Sequence, residues 1–339
     1  MVAFISKMEK MEKQPTMWNF NLLTALFFCM PLFACKNRGN QPNLDIPQDV
    51  TKVIERPVFS SDSAYQFIQH QVDFGPRVPG SNAQKACASW LEDKLKQYGA
   101  EVQVQNTHVT TAKGDHVPCY NIIGSYQPNL KERILLASHW DSRPWADQDS
   151  SNRETPIEGA NDGASGVGVL LEIARQIQLK TPEIGVDIIF FDVEDSGLPN
   201  SEESYCLGSQ YWSKNPHKIN YFAQNGILLD MVGAPNATFA IEGGSYQINP
   251  TLVNKVWDIA SRLGYQNYFV KSKKAPIIDD HYYVYQNAKI PMIDIIHLDP
   301  TTISGFGEYW HTHRDNMDAI DKKTLQAVGE TVLATIRNK

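Results

Sequence analysis

The sequence predicts an α/β fold, a single domain built on an open sheet flanked by helices. Three observations carry this. Strand-like runs alternate with amphipathic helical patterns along most of the chain. Residues 186–191 form a short apolar, β-branched and aromatic run, the pattern of a strand covered on both faces. Acids and histidines recur just past strand ends, where open α/β sheets place their ligands. The 339 residues, 42% hydrophobic and 20% charged, have ordinary globular composition, and the net charge of −7 argues against a nucleic-acid partner.

The N-terminus reads as a leader. Residues 22–34 are an apolar run too short to span a bilayer as a mature helix, preceded by Lys7, Lys10 and Lys13. The run ends in Leu32-Phe33-Ala34-Cys35 and resembles a bacterial lipoprotein signal. That resemblance implies a mature chain beginning at a lipid-modified Cys35, exported to the periplasm and membrane-anchored through the lipid. Residues 1–34 are then signal peptide, 35–58 a flexible tether and 59–339 the catalytic domain. Beyond this region only Cys87, Cys119 and Cys206 remain. An odd number with no zinc-knuckle spacing predicts free buried thiols.

In chain order, residues 62–70 open the first helix, with Asp62 as a cap candidate, and 74–80 form a Gly/Pro turn. Residues 83–98 place Ala86, Trp90, Leu91 and Leu95 at helical spacing, and Gly99 ends that helix. Strands follow at 101–109, 120–126 and 133–138. Residues 167–178 are a helix with Leu170, Leu171, Ala174 and Ile177 inward. After the 186–191 strand come a short helix (208–214), strands at 226–231 and 237–241, and an amphipathic helix at 250–263. An aromatic helical turn at 282–285 and a last strand at 291–296 precede the closing helix, 318–336. Its inward residues are Leu325, Val328, Val332 and Ile336.

The chemistry-bearing residues sit between these elements. The 186–191 strand runs into Asp192, Glu194 and Asp195; the last two are adjacent and so point apart, one free to bind a metal and the other to act as a base. His139 and Asp141 flank Trp140 on an extended segment and share a face. Asp162 lies in a glycine-rich loop leading into a helix, out of register for a dinucleotide fingerprint. Asp230 lies within an apolar run, where a bare charge would be expensive. Asp279 and Asp280 precede a helix, as N-caps often do. His297 follows the last strand, and His311 stands in an aromatic loop, 305–316. Mixed carboxylate and imidazole donors favour zinc.

The 158–168 loop (EGANDGASGVG), the pair after FFD, LLDMVGAPN, DDH and WHT together resemble the zinc-dependent glutaminyl cyclases, which share a fold with the zinc aminopeptidases. The resemblance runs from about Ser60 to the C-terminus. It implies a central, mixed and mostly parallel twisted sheet, and one zinc per chain bound by Asp162, Asp195 and His311. It makes Glu194 the general acid/base, assisted by Asp230 and Asp279, with Trp310 and His297 at the substrate. It implies peptides or proteins with N-terminal glutamine as partners, and a monomer. It also implies an alternative, a two-zinc aminopeptidase, in which His139 and Asp230 hold a second metal and Asp162 bridges. The disulfide of the animal cyclases has no counterpart, since Ser138 and Val167 stand in its place.

Overall fold

The computed structural model describes residues 54–338; the leader and Cys35 lie outside the described residues. The strands are β1 (Glu101–Thr110), β2 (His116–Tyr126), β3 (Arg133–His139), β4 (Gly185–Phe191), β5 (Asn225–Asp230), β6 (Phe239–Ile241), β7 (Phe269–Lys273) and β8 (Met292–Ile296). Six of them form one sheet in the order β1-β2-β4-β3-β5-β8, and β6 and β7 pair separately. β3, β4, β5 and β8 are mutually parallel, whereas β1 and β2 add an antiparallel edge, so the sheet is mixed and mostly parallel as expected.

The parallel strands are apolar because helices cover both of their faces. Side chains alternate between two cores. Leu136, Ile188, Phe190, Ile227 and Ile293 enter the larger one, and Leu135, Ile189, Phe191, Leu228 and Met292 the other. The helices are α1 (Ser61–Asp73), α2 (Asn82–Gln97), α3 (Ala164–Leu179), α4 (Leu207–Lys214), α5 (Gly243–Ile248), α6 (Pro250–Arg262), α7 (Asp280–Tyr283) and α8 (Lys322–Arg337). α1, α3 and α8 pack on one another, and α4 lies against β2.

The 186–191 run is not continuously apolar, because Asp187 sits within β4 fully buried. It is tolerated because Ser125 Oγ (2.6 Å), Tyr221 Oη (2.7 Å) and Arg133 Nη2 (2.8 Å) all donate to it.

Several boundaries move for local reasons. The cap of α1 is Ser60, whose Oγ accepts the Ser63 amide at 3.1 Å; Asp62 instead pairs with Lys322 at 2.7 Å. In α2 the inward residues include Cys87 and Ala88, whereas Ala86 is exposed. α8 begins at Lys322 under an Asp321 cap, after a separate 3-10 turn, Met317–Ala319. α5 and β7 have no counterpart among the expected elements. Packing also begins inside the expected tether: Arg56 donates to Glu330, to Leu263 O and to Tyr265 Oη. Cys87, Cys119 and Cys206 are free and buried, as the odd count implied.

His217 packs beside Trp212, whose Nε1 donates to its Nδ1 at 3.3 Å. Burial pulls this imidazole down to about 4. Above the ordinary histidine range it is neutral in both folded and unfolded chains. As pH falls through that range the unfolded chain takes up a proton that the folded chain refuses until about 4. The folded state therefore loses about 2 kcal/mol between pH 7 and 5 from this group. In His217→Gln, urea unfolding at the two pH values should show a correspondingly smaller drop.

Candidate active site

The sheet delivers its polar ends to one edge. His139 ends β3, Glu194 and Asp195 follow β4, Asp230 ends β5, and His297 follows β8. Asp162 lies just before α3, and Asp279 caps α7. This is the carboxyl edge of the parallel strands, where such sheets bind ligands.

Two buried carboxylates hold the backbone at this edge. Asp141 accepts the amide of Glu194 at 3.0 Å on one oxygen and that of Asp195 at 3.1 Å on the other. Asp315 does the same for Asn161 (2.7 Å) and Asp162 (3.0 Å). Each fork fixes two consecutive peptides, and with them the direction in which a functional carboxylate leaves the chain. Asn161 Oδ1 then accepts the Gly233 amide at 2.6 Å, tying the Asp162 loop to the end of β5. Arg77, fully buried, binds Trp140 O (3.2 Å), Gly159 O (2.7 Å) and Glu158 O, joining the His139 and Asp162 segments.

The backbone is strained where the site needs it. Val193 (φ 54°), Met231 (φ 49°) and His311 (φ 55°) occupy the left-handed region, and β-branched Val193 is the costliest of these. Gly163 (φ 98°) abuts the site as well; a Cβ there would lie 2.4 Å from Asp141 O.

Asp162, Asp195 and His311 converge, with one donor atom from each lying within 4.8 Å of the others. His311 Nε2 is 3.2 Å from Asp195 Oδ1 and 3.9 Å from Asp162 Oδ2. Asp195 Oδ2 is buried without a hydrogen-bond partner, a lone pair left for a cation. His311 Nδ1 faces Asp147 Oδ1 at 3.2 Å, the arrangement that orients a metal-binding imidazole. Arg143, fully buried, donates to Asp195 Oδ1 (2.9 Å) and to Asp147 (2.7 Å), so both flanks of the triad share one guanidinium. Two carboxylates and an imidazole fit a small divalent ion such as zinc.

A second triad adjoins it. His139 Nε2 lies 3.0 Å from Asp162 Oδ1 and 3.2 Å from Asp230 Oδ1, and its Nδ1 faces Asp141 at 3.4 Å. Asp162 thus belongs to both groups.

Glu194 points away from its neighbour. Its Oε1 accepts the Cys206 thiol at 3.2 Å, and Asp279 lies in the same group. Burial raises the pKa of Glu194 well above the usual carboxylate range. Burial, then the nearby Asp230, pushes Asp279 up to about 6. Trp310 stacks on His311 at 3.6 Å between ring centroids. His297 stands outside both triads; its Nδ1 meets Tyr309 Oη at 3.0 Å, and burial lowers its pKa, favouring the neutral ring. The roles of Asp315, Arg77, Arg143, Asp147 and Cys206 emerge only from the fold, since their partners are distant in sequence or set by loop geometry.

The description of peptidase family M28 matches residues 121–336. The chain belongs to peptidase family M28. Within M28 it is similar to bacterial glutaminyl cyclases. The Tannerella forsythia glutaminyl cyclase is 52% identical at a TM-score of 0.82, over 84% of this chain and 100% of that one. A Zn-dependent exopeptidase from Parabacteroides distasonis is 50% identical at a TM-score of 0.83, with the same coverage. The glutaminyl-peptide cyclotransferase of Gloydius blomhoffii is 26% identical over 90% of this chain and 92% of its own length.

Removing the fork beneath Asp162 should loosen the hold of the Asp162, Asp195 and His311 group on a metal ion. In Asp315→Ala, metal retention against a chelator should fall about ten- to a hundredfold, read by metal analysis after dialysis.

Proposed function

We propose that this chain is a zinc-dependent glutaminyl-peptide cyclotransferase. It converts an N-terminal glutamine of peptides or proteins to pyroglutamate with release of ammonia. The observation that carries this reading is the divergence of the adjacent acids: Asp195 faces His311 and Asp162, while Glu194 faces Asp279. Its similarity to glutaminyl cyclases about half identical over their full length supports the same reaction.

Asp162, Asp195 and His311 would hold one zinc ion, which would supply Lewis-acid polarisation of the substrate's γ-carbonyl. The nucleophile is the substrate's own α-amine, so the protein's task is to impose a closed conformer. Asp230 and Asp279 orient that amine. Glu194 takes a proton from it and delivers one to the departing amide nitrogen, which leaves as ammonia. A carboxyl raised by burial suits that double role, because it holds a proton more readily than an ordinary carboxylate and so can both accept and return one. Trp310 walls the pocket beside His311, and neutral His297 acts through the loop that carries Tyr309 and Trp310. The lipid-modified Cys35 would anchor this domain to a membrane of an exporting bacterium.

A two-zinc aminopeptidase is the second reading, favoured by the triad of His139, Asp162 and Asp230. A glutamine-headed peptide separates the two. Cyclisation with ammonia release and one zinc per chain supports the first, whereas free glutamine and two zinc ions support the second.

Glu194→Gln should lower kcat at least about a hundredfold while zinc content and thermal stability stay at wild-type values. Wild-type turnover in that variant would remove Glu194 from the proton transfers. His311→Ala should purify with little zinc, and full occupancy would exclude it as a ligand.

A further inference from the structure

The opposite edge of the sheet, where β3, β4 and β5 begin, carries none of the site residues, yet it presents an organised apolar surface. Ile219 is 96% exposed, Phe222 51% and Leu130 37%. Lone exposed apolar residues are ordinary, but these three line one groove of about 390 Å³. Lys131 and Lys218, both exposed, line it too, and no acid does, although the chain as a whole carries a net charge of −7. The groove is built rather than loose. Gln224 clasps its two walls, accepting the Arg133 amide at 2.7 Å and donating to Lys131 O at 3.1 Å. Tyr221, between Ile219 and Phe222 in the chain, turns inward and donates at 2.7 Å to buried Asp187, which also binds Arg133. The buried polar network of β4 thus fixes apolar side chains in an outward pose.

The described chain begins on this same edge. α3 starts beside Asp162 and ends at the opposite edge, where Lys180 Nζ lies 3.5 Å from Glu55 Oε2. From there contacts run on to the groove: Gln127 donates to Pro182 O and Ile184 O, and the Leu130 amide donates to Gln127 O at 3.1 Å. The chain between Cys35 and Ile54 is 18 residues long. A lipid on Cys35 would therefore hold a bilayer within at most about 60 Å of this edge, a high effective concentration for a weak surface. We propose that the amino edge of the sheet, through Leu130, Ile219, Phe222, Lys131 and Lys218, is a docking surface for an anionic lipid bilayer. The apolar side chains enter the headgroup region while the lysines meet its negative charge. The active-site edge then faces away, open to peptides in the aqueous phase. The surface is a property of the described domain; its concentration beside a membrane rests on the lipid anchor proposed above.

The test uses the chain from residue 35 on with Cys35→Ser, which keeps the whole described domain, one compact unit, and lacks the leader. An environment-sensitive dye is attached at Asn129→Cys beside the groove. The control position is Ile303→Cys, exposed on the loop after β8 at the active-site edge; Cys87, Cys119 and Cys206 are buried. With vesicles of phosphatidylethanolamine and phosphatidylglycerol, emission at the first position should shift to the blue and rise at least about twofold, while the control stays unchanged. Ile219→Asp with Phe222→Asp should weaken vesicle binding at least about tenfold, read by sedimentation, and leave lipid-free turnover of a glutamine-headed peptide at the wild-type rate. Lys131→Glu with Lys218→Glu makes the same comparison if that variant folds poorly. A groove dye that ignores vesicles, or a control dye that responds in its place, would overturn the proposal. So would a groove response produced by raising protein concentration alone, which would mean that a second copy covers the face. Mass spectrometry of Cys35 in the membrane-extracted full chain separates the two readings. An unmodified thiol defeats the anchor and leaves the surface standing, whereas a lipidated Cys35 beside a silent groove dye defeats the surface.

Discussion

The site depends on carboxylates used as backbone anchors. Asp141 and Asp315 each spend both oxygens on two consecutive peptide N–H groups, at Glu194–Asp195 and at Asn161–Asp162. A loop residue has freedom that a strand residue lacks, and a metal tolerates errors of only a few tenths of an ångström in its ligands. The forks resolve that conflict. They also gather several negative groups at one buried edge, where Arg143 and Arg77 supply compensating charge. Burial depresses the pKa of Arg77, and nearby acids only partly offset this.

The arrangement follows from the topology. β3, β4, β5 and β8 run in the same direction, so four chain segments leave the sheet side by side, each free to carry a polar group just beyond its last buried residue. The antiparallel β1 and β2 widen the sheet without adding to this edge. Asp162, Asp279 and His311 come from connecting segments instead; Asp162 lies on the crossover leading into α3 and is drawn in by Asp315 and by Asn161's bond to Gly233.

Much of this was legible in the sequence, and the exceptions have physical reasons. Apolar runs located the parallel strands because strands covered on both faces have little choice of residue. β7, FVKSK, escaped notice because only its first residue is buried. α5 begins with two glycines, and its helical turn exists because Glu242 caps the amides of Gly244 and Ser245. Asp187 breaks the run that reads as apolar, and three donors from distant segments make it part of the core. Asp162, Asp195 and His311 stood out through their motifs. The anchoring roles did not: Asp141 stood out only as a partner for His139, and Asp315 looks like any acid in a polar loop until the fold supplies the amides they accept.

Val193, Met231 and His311 carry a further consequence. Each holds its backbone where glycine would rest more comfortably, and each flanks or is a working residue. Protein engineers seeking heat tolerance replace such positions first, since relaxing them lowers the free energy of the native chain. Here relaxation would swing Glu194, Asp230 or the imidazole itself off target. Robustness in this enzyme therefore has to be sought on the helices remote from the strand edge, leaving the awkward residues as they are.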